Sequence, residues 1–179
     1  MEIYKLNFTV AEFEVFSYLC IKSGDKLSQR DIAKALKVSP TAISNCVKKL
    51  EKKGFIKNVK TKSINFISFD RSNKRAIELK RVENLKQLYA SGLVDFLEEM
   101  FAGGTIILFG SYSKGEDTIT SDVDIAVIER KYKKIDLENY EKSLFRKINI
   151  NCYNSWKDIH KHLKNNILNG ITLSGCVDL

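Results

Sequence analysis

The sequence predicts an α+β protein with two domains, and three observations lead to this prediction. Residues 9–54 carry apolar side chains at helical spacing, with capping residues before each helix. Residues 105–128 instead carry two short apolar runs that are typical of buried strands. The charge also differs between the two halves. Residues 1–80 carry 17 lysines and arginines and 8 acids, whereas residues 81–179 carry 13 lysines and arginines and 14 acids. The basic first half is therefore expected to meet a polyanion.

Composition places the chain among globular proteins with a packed core. It has 179 residues, of which 44% are hydrophobic, and no run of about 18 apolar residues that would predict a membrane span. The first residues carry early acids and no basic region, so we expect that they are not a signal peptide. Cys20, Cys46, Cys152 and Cys176 form no CxxC pair. Reduced thiols in a cytoplasmic protein are expected, with a structural metal as the alternative.

Three helices are predicted in the first domain from their starting residues. Capping-box sequences, Thr-Val-Ala-Glu and Ser-Gln-Arg-Asp, stand at residues 9–12 and 28–31. A serine followed by proline at residues 39–40 gives a third start. In the second helix, Ile32, Ala35 and Leu36 are expected to face inward. Two short helices joined by a tight turn are typical of a helix-turn-helix.

The outer face of the third helix is small and polar at its start and basic further along. Two strand-like runs follow, at residues 55–59 and 64–69, with a basic tip between them that predicts a hairpin. Small polar groups can reach base edges and lysines can meet phosphates. The candidate DNA-binding residues are Thr41, Ser44, Asn45, Lys48, Lys49, Lys60 and Lys62.

The run LSQRDIAKALKVSPTAISNCVKKLEKKGFI resembles the winged helix-turn-helix of MarR-like and other prokaryotic regulators. The resemblance covers roughly residues 9–70 and implies that double-stranded DNA binds residues 1–70. A winged helix used only to bind another protein is the alternative.

A helical segment is predicted between the two halves, from about residue 71 to residue 101. It is either one long helix or two helices in series, separated at Ser91-Gly92. Its apolar stripe predicts either a homodimer surface or packing on the second domain. The expected division is a winged domain at residues 1–70, a helical linker at 71–92 and a second α/β domain with a mixed sheet at 93–179.

The second domain carries its chemistry between two predicted strands. The strand at residues 105–109 ends at Gly110-Ser111, an arrangement that lets backbone and hydroxyl approach a phosphate. Lys114 adds a positive charge, and Gly115 allows the chain to turn back. The next strand opens with Ser121-Asp122-Val123-Asp124.

Asp122 and Asp124 stand two residues apart on a strand, so both side chains are expected on one face. Two adjacent carboxylates repel each other unless a cation lies between them. Mg²⁺ prefers one or two carboxylates together with waters and substrate phosphates. This stretch therefore predicts a site for Mg²⁺, or Mn²⁺, and the phosphates of ATP or another nucleoside triphosphate.

The pattern G-S-x-x-x-G-x-x-x-x-x-S-D-x-D resembles the signature of DNA polymerase β-like nucleotidyltransferases, most closely the small stand-alone proteins that include the MNT antitoxins. The resemblance covers roughly residues 93–170. It implies that Gly110 and Ser111 contact the nucleotide phosphates and that Asp122 and Asp124 are the catalytic, metal-binding carboxylates. Lys114 and Ser121 complete the expected nucleotide site.

One position departs from this family. After a predicted helix at residues 136–145, the chain reads Arg-Lys-Ile-Asn-Ile-Asn, where family members tend to read Arg-Lys-Val-Asp-Leu-Val. Asn149 therefore stands where the resemblance implies a third carboxylate that activates the attacking hydroxyl. An amide can bind a metal weakly but cannot take a proton. Beyond it, residues 155–170 predict a helix with Trp156 in the core, followed by a short apolar segment.

Two functions follow from these residues. The first is a nucleotidyltransferase that moves AMP from ATP to a protein or RNA hydroxyl, with an antitoxin-like regulatory role. The resemblance implies a HEPN-type toxin or a tRNA end as acceptor. The second is a DNA-binding transcriptional regulator whose second domain only binds a nucleotide or a partner, as Asn149 favours.

Overall fold

The computed structural model describes residues 8–61 and 65–178, and these divide into two compact units. The first unit is Met1–Lys80 and the second is Arg81–Leu179. Helical and strand-rich segments occur in the order expected, which confirms the α+β prediction.

The first unit combines helices with a small sheet. Its elements are α1 (Val10–Ile21), β1 (Leu27–Ser28), α2 (Gln29–Leu36), α3 (Pro40–Lys52), β2 (Ile56–Lys60) and β3 (Asn65–Phe69). Strands β2 and β3 pair antiparallel as the predicted hairpin, with Ile56 opposite Phe69. Strand β1, which the sequence did not predict, pairs with β3, so the described strands run in the order β1-β3-β2.

The predicted caps are confirmed for two helices and half confirmed for the third. At α2 both bonds of the capping box are present, from the Asp31 amide to the Ser28 hydroxyl and from the Ser28 amide to the Asp31 carboxylate. At α3 the Ser39 hydroxyl accepts from the amide of Ala42. At α1 Thr9 caps the Glu12 amide, but the Glu12 side chain does not return the bond.

The core of the first unit lies between the helices and the sheet. Phe16, Leu50 and Ile67 are buried in one apolar cluster with residues from every helix of the unit. The inward position predicted for Ala35 is wrong: Ala35 is exposed, and Ala33 beside Ile32 is buried instead. The helix is rotated relative to the prediction because Ile32 and Ala33 together define its buried face.

Helix α4 (Lys74–Ala90) begins in the first unit and continues into the second. It ends where the sequence predicted a break, since Gly92 adopts the left-handed conformation with φ +75° before the next helix. Such a conformation costs glycine no steric clash. The helical segment is therefore two helices in series.

The second unit is a sheet with helices on both faces. Its further elements are α5 (Leu93–Met100), β4 (Thr105–Phe109), α6 (Gly110–Lys114), β5 (Val123–Ile128), α7 (Glu138–Leu144), β6 (Ile148–Tyr153), a 3₁₀ turn (Trp156–Asp158), α8 (Lys161–Leu168) and β7 (Ile171–Ser174). The described strands run β6-β5-β4-β7. Because β5 and β6 are parallel and the other pairs antiparallel, the sheet is mixed, as predicted.

Alternating residues of the central strands build two cores. Val123, Ile125 and Val127 pack in one cluster with the α4–α5 side, while Ala126 and Ile128 pack in the other with Trp156. This alternation places the even-numbered residues of β5 on the face that carries Trp156. Trp156 is buried, which confirms it as a core residue.

The described residues contain no membrane-spanning helix and no disulfide. No helix among the described residues is long and apolar enough to cross a membrane. None of the four cysteines, all of which lie in the described part, forms a disulfide.

Candidate nucleotide site and nucleic-acid interface

The sheet brings the predicted carboxylates to the place where β4 ends and β5 begins. Phe109, the last residue of β4, lies opposite Asp124 across the antiparallel pair. Asp124 in turn lies opposite Asn149 across the parallel pair of β5 and β6. Three neighbouring strands thus place Phe109, Asp124 and Asn149 in one row, and Gly110 directly follows it at the end of β4.

A single amide group joins the two carboxylates. The Asn149 side-chain nitrogen lies 3.1 Å from an Asp122 oxygen and 3.2 Å from an Asp124 oxygen, and donates to both. An asparagine amide has two N–H groups, so it can serve both acceptors at once. The shared partner confirms that the two aspartates point to one face, as their spacing predicted.

Among the described residues, no salt bridge reaches Asp122 or Asp124. Asp122 is exposed and Asp124 is half-buried, so solvent or a ligand can reach both. The neutral amide orients the carboxylates but leaves their two charges in place.

Gly110 leaves the space that the carboxylates need. Its φ is +75°, and a β-carbon added there would lie 2.6 Å from an Asp124 oxygen. Both the backbone conformation and the contact exclude a larger side chain. Position 110 therefore requires glycine, because its backbone lies so close to the Asp124 carboxylate.

The other predicted nucleotide-binding residues surround this row. Ser111 follows Gly110 in the short helix α6, and Lys114 is exposed at the end of that helix. The Ser121 hydroxyl accepts from the amide of Thr118 at 2.9 Å, which orders the loop before Asp122. Ser121 thus shapes the loop in addition to its predicted place beside the nucleotide.

Sequence reasoning missed a buried polar network that supports the loop. Asp117, only 1% exposed, forms a salt bridge at 3.2 Å with Arg146, which is 5% exposed. Asn84 donates to the second oxygen of Asp117 at 2.7 Å and to the carbonyl of Tyr112 at 2.9 Å. The Tyr112 hydroxyl donates back to the carbonyl of Asn84, and burial raises the pKa of this tyrosine.

This network fixes the ends of the segments that carry the site. Asp117 lies in the loop between α6 and β5, and Arg146 lies just before β6. Their salt bridge therefore joins the loop that precedes β5 to the residues that precede β6. No local pattern could reveal this pair, because the two residues are 29 positions apart.

A surface pocket of about 490 Å³ opens beside Asp122. Among its lining residues are Ser121, Asp122, Glu138, Glu141, Phe145 and Lys147. Glu138 pairs with Lys142 at 2.5 Å, and Glu141 pairs with Lys147 at 2.9 Å. A hydrogen bond from Lys147 lowers the pKa of Glu141, and the same bond raises that of Lys147.

The donor set fits one divalent ion held together with phosphates. In the described residues, no three His, Cys, Asp or Glu side chains lie close enough to bind one metal ion. Two carboxylates with a free approach from solvent are nevertheless the usual protein share of a Mg²⁺ site, where waters and substrate phosphates supply the other ligands. Asn149 replaces the third carboxylate that the resemblance implies.

The helix-turn-helix presents most of its predicted contacts to solvent. Thr41, Asn45 and Lys48 on α3 are exposed, as is Lys60 at the end of β2, whereas Ser44 is half-buried. Lys62 lies outside the described residues. The basic outer face of α3 matches the surface that a groove-binding helix needs.

Lys49 has a partner within the protein. Its ammonium lies 2.8 Å from the carboxylate of Glu12, and the Lys53 ammonium lies 3.2 Å from the other oxygen. The Lys49 side chain is 60% exposed, but Glu12 is only 2% exposed. The hydrogen bond from Lys49 lowers the pKa of Glu12 against the opposing effect of burial. Lys49 thus ties α3 to α1 in addition to its predicted role.

Comparison with family models agrees with both units. Residues 90–171 match the model described as a nucleotidyltransferase domain. Residues 19–57 match the model described as a winged helix-turn-helix DNA-binding domain. The two matches follow one another from the N- to the C-terminus in the order that the sequence predicted. No curated protein sequence matches it significantly.

Solved structures similar to the chain include bacterial regulators. A variant of ZitR from Lactococcus lactis is 17% identical over 57% of this chain and 68% of its own, with a TM-score of 0.41. MepR from S. aureus in complex with DNA is 24% identical over 53% of this chain and 72% of its own, with a TM-score of 0.38. A GntR family transcriptional regulator from Listeria monocytogenes is 23% identical over 55% of this chain and 89% of its own, with a TM-score of 0.31. With scores this low, the likenesses support no conclusion about function.

Proposed function

We propose that the second unit is a nucleotidyltransferase that takes ATP with Mg²⁺ or Mn²⁺ and transfers AMP to a hydroxyl of a protein or an RNA. The observation that supports this is the pair Asp122 and Asp124, held on one face by Asn149 and reached by no salt bridge from the described residues. Two accessible carboxylates on one face are the protein ligands that Mg²⁺ takes together with waters and substrate phosphates.

In this proposal the residues act mainly by positioning and by charge. Asp122 and Asp124 hold the metal, and Gly110 lets the Ser111 backbone and the Asp124 carboxylate lie close to the phosphates. The metal would neutralise the phosphates and align them with the attacking hydroxyl. That hydroxyl attacks the α-phosphorus, the bond to the bridging oxygen breaks, and pyrophosphate leaves.

Asn149 bears on how fast this reaction runs. The hydroxyl must lose its proton as it attacks, and the Asn149 amide cannot accept one. The proton would pass to water, so turnover is expected to be slow. A HEPN-type toxin and a tRNA end are the proposed acceptors because the family resemblance implies them.

The test is calorimetric titration of ATP with Mg²⁺ into the wild type and into Asp122→Asn/Asp124→Asn. Binding that needs the metal and disappears in the double variant would support the proposal. Transfer is then tested with ATP labelled at the α-phosphate. The absence of binding in the wild type would contradict the nucleotide site, and binding without label transfer would contradict the enzyme.

A second function is favoured by Asn149 and by the basic first unit. In it, the chain is a DNA-binding transcriptional regulator whose second unit binds a nucleotide or a partner without turnover. The exposed residues of α3 support DNA binding, with Thr41 and Asn45 near base edges and Lys48 near phosphate.

DNA binding is tested by fluorescence anisotropy with a duplex from upstream of the chain's own gene. The logarithm of the affinity should fall linearly with the logarithm of salt, with a slope near 0.9 per phosphate contacted. Lys48→Ala and Lys60→Ala should each reduce that slope by about one. Lys161→Ala, in α8 of the second unit, is the matched control and should leave it unchanged. Affinity that does not depend on salt would contradict this role.

A further inference from the structure

Strand β6 lies at one end of the described sheet and pairs with β5. The amide of Val123 donates to the carbonyl of Lys147 at 2.8 Å, which fixes how the two strands are bonded. Along a parallel pair, residues whose backbone bonds to the neighbouring strand alternate with residues whose N–H and C=O point away from it. The backbone groups of Ile150 and Cys152 therefore point to the outer side of the sheet.

This outer edge is open at Ile150 and Cys152. The amide of Ile148, which points the same way, donates to the carboxylate of Glu141 at 3.0 Å. In the described part of the chain, the outward backbone groups of Ile150 and Cys152 take part in no hydrogen bond. A strand edge with unpaired donors and acceptors is a template for another extended chain.

A groove of about 300 Å³ lies beside this edge. It is lined by residues 148–151 of β6 and by three residues from the segment that follows β5, Tyr132, Ile135 and Leu137. Ile150 packs with the apolar cluster on one face of the sheet, whereas Asn151 beside it lies on the other face. A strand added along β6 would therefore meet apolar groups on one face and polar groups on the other, which suits a sequence that alternates apolar and polar residues.

The segment that forms the other wall begins with a basic run, Arg-Lys-Tyr-Lys-Lys at residues 130–134. Its tyrosine and its three lysines are exposed. Arg130 and Lys133 donate to backbone carbonyls, and no salt bridge from the described residues reaches any of the four cations. One acid stands on either side of the run, Glu129 and Asp136, so two positive charges remain in excess. An open edge beside this run favours a partner that carries carboxylates.

We propose that the outer edge of β6 binds an extended acidic segment of another protein, which adds to the sheet as a further strand. Main-chain hydrogen bonds to Ile150 and Cys152 supply the pairing. Apolar side chains of the segment lie against Ile135 and Leu137, and its carboxylates lie near the basic run at residues 130–134. Binding at this edge needs neither ATP nor a metal ion, so it does not depend on the proposed nucleotide site.

The probe is a fluorescein-labelled peptide of alternating valine and glutamate, titrated with the full chain and followed by anisotropy. It should bind, and a peptide with lysine in place of glutamate should bind at least about tenfold more weakly. Lys131→Glu/Lys134→Glu should weaken binding of the acidic peptide about tenfold. Lys157→Glu/Lys161→Glu, at two exposed lysines of the second unit that do not line the groove, is the matched control and should bind as the wild type does. No binding of the acidic peptide, or equal binding of both peptides, would overturn the proposal.

Two measurements test the strand pairing itself. An acidic peptide with every backbone amide methylated keeps its side chains but has no N–H to donate, so it should bind at least about tenfold more weakly. Hydrogen exchange followed by NMR should show slower exchange of the amides of Ile150 and Cys152 in the complex. The amide of Ile148 already bonds to Glu141 and should change less. Undiminished binding of the methylated peptide, or protection confined to other parts of the chain, would contradict strand addition at β6.

Sedimentation velocity of the chain alone distinguishes a partner protein from a second copy at this edge. A dimer that dissociates when the acidic peptide is added would show that a second copy occupies β6, and it would overturn the proposal. A monomer, or a dimer that the bound peptide leaves intact, agrees with an acidic partner protein.

Discussion

Two carboxylate environments lie five residues apart in the second unit, and they differ in how the negative charge is balanced. Asp117 is buried and paired with Arg146, and Asn84 satisfies its other oxygen. Asp122 and Asp124 are accessible and share the neutral amide of Asn149. The first carboxylate is paired with a cation within the protein, while no salt bridge from the described residues reaches the other two.

The difference separates the structural carboxylate of Asp117 from the proposed metal-binding pair on physical grounds. A buried charge must be paired where it is, because an unpaired one costs several kcal/mol. An exposed pair of like charges can remain unpaired because water screens it. Residues of one type, close in sequence, therefore serve different purposes according to their burial. Four predictions test this comparison through stability, from the largest effect to the smallest.

The largest effect is expected for the buried pair. Arg146→Met should destabilise the second unit by about 3–5 kcal/mol, because it leaves the Asp117 carboxylate buried without its cation. Urea unfolding measures the change. Lys142→Met removes an exposed ion pair and is the matched control, expected to cost at most about 1 kcal/mol. Similar costs for the two variants would show that burial does not distinguish these carboxylates.

The first unit offers an intermediate case in Glu12. Its pKa is lowered by the hydrogen bond from Lys49, so the stability it contributes is fully present above the unfolded value near 4.5. That contribution is lost as the pH falls through the lower folded pKa. Glu12→Gln should cost about 1–3 kcal/mol at neutral pH.

The pH profile provides the check on Glu12. Unfolding followed from neutral pH into the acid range should show a smaller decline for Glu12→Gln than for the wild type. Glu14→Gln, at the next acid of α1, is the control and should follow the wild-type curve. A wild-type decline retained in full by Glu12→Gln would place the acid sensitivity elsewhere.

A smaller effect is expected where Asn149 joins the two aspartates. Asn149→Asp replaces a donor with a third carboxylate and should cost about 1 kcal/mol without metal through repulsion. Mg²⁺ or Mn²⁺ should reverse this loss and should bind more tightly than to the wild type, as measured by calorimetry. Asn151→Asp, two residues further along β6, is the matched control. Equal metal affinity in wild type and Asn149→Asp would show that position 149 does not contact the ion.

The smallest effect is expected for the carboxylates of the site. Asp122→Asn/Asp124→Asn should change the free energy of unfolding by no more than about 0.5 kcal/mol, or should raise it, because two repelling charges are removed. The same urea titration measures it in the absence of metal. A loss of several kcal/mol would assign these aspartates a structural role and would remove the contrast with Asp117.

Much of the fold follows from local signals in the sequence. The caps at Ser28 and Ser39, the break at Gly92 and the apolar runs of β4 and β5 depend on residues close together in the chain. Strands β1 and β7 were missed because they are short and exist only through their partners, β3 and β4. Their pairing is a long-range contact, and segments this short are not long enough to show the alternation of apolar residues that predicts a strand.

The site divides in the same way. The spacing of Asp122 and Asp124 predicted that they share a face. The family resemblance identified position 149, which the structure places opposite Asp124. The Asp117–Arg146 pair was missed because its partners are distant and Asp117 resembles an ordinary polar loop residue. Glu12 was interpreted as a helix cap, but its carboxylate instead binds two lysines of another helix.

The exposed position of Asn149 on the outer strand of the sheet has an evolutionary consequence. Codons for asparagine and aspartate differ by one base, and a side chain at an accessible strand end can change without disturbing the core. A single mutation can therefore exchange asparagine and aspartate at position 149, and the protein is expected to fold with either residue. Catalytic and purely regulatory descendants of one ancestor would be separated by a single mutational step.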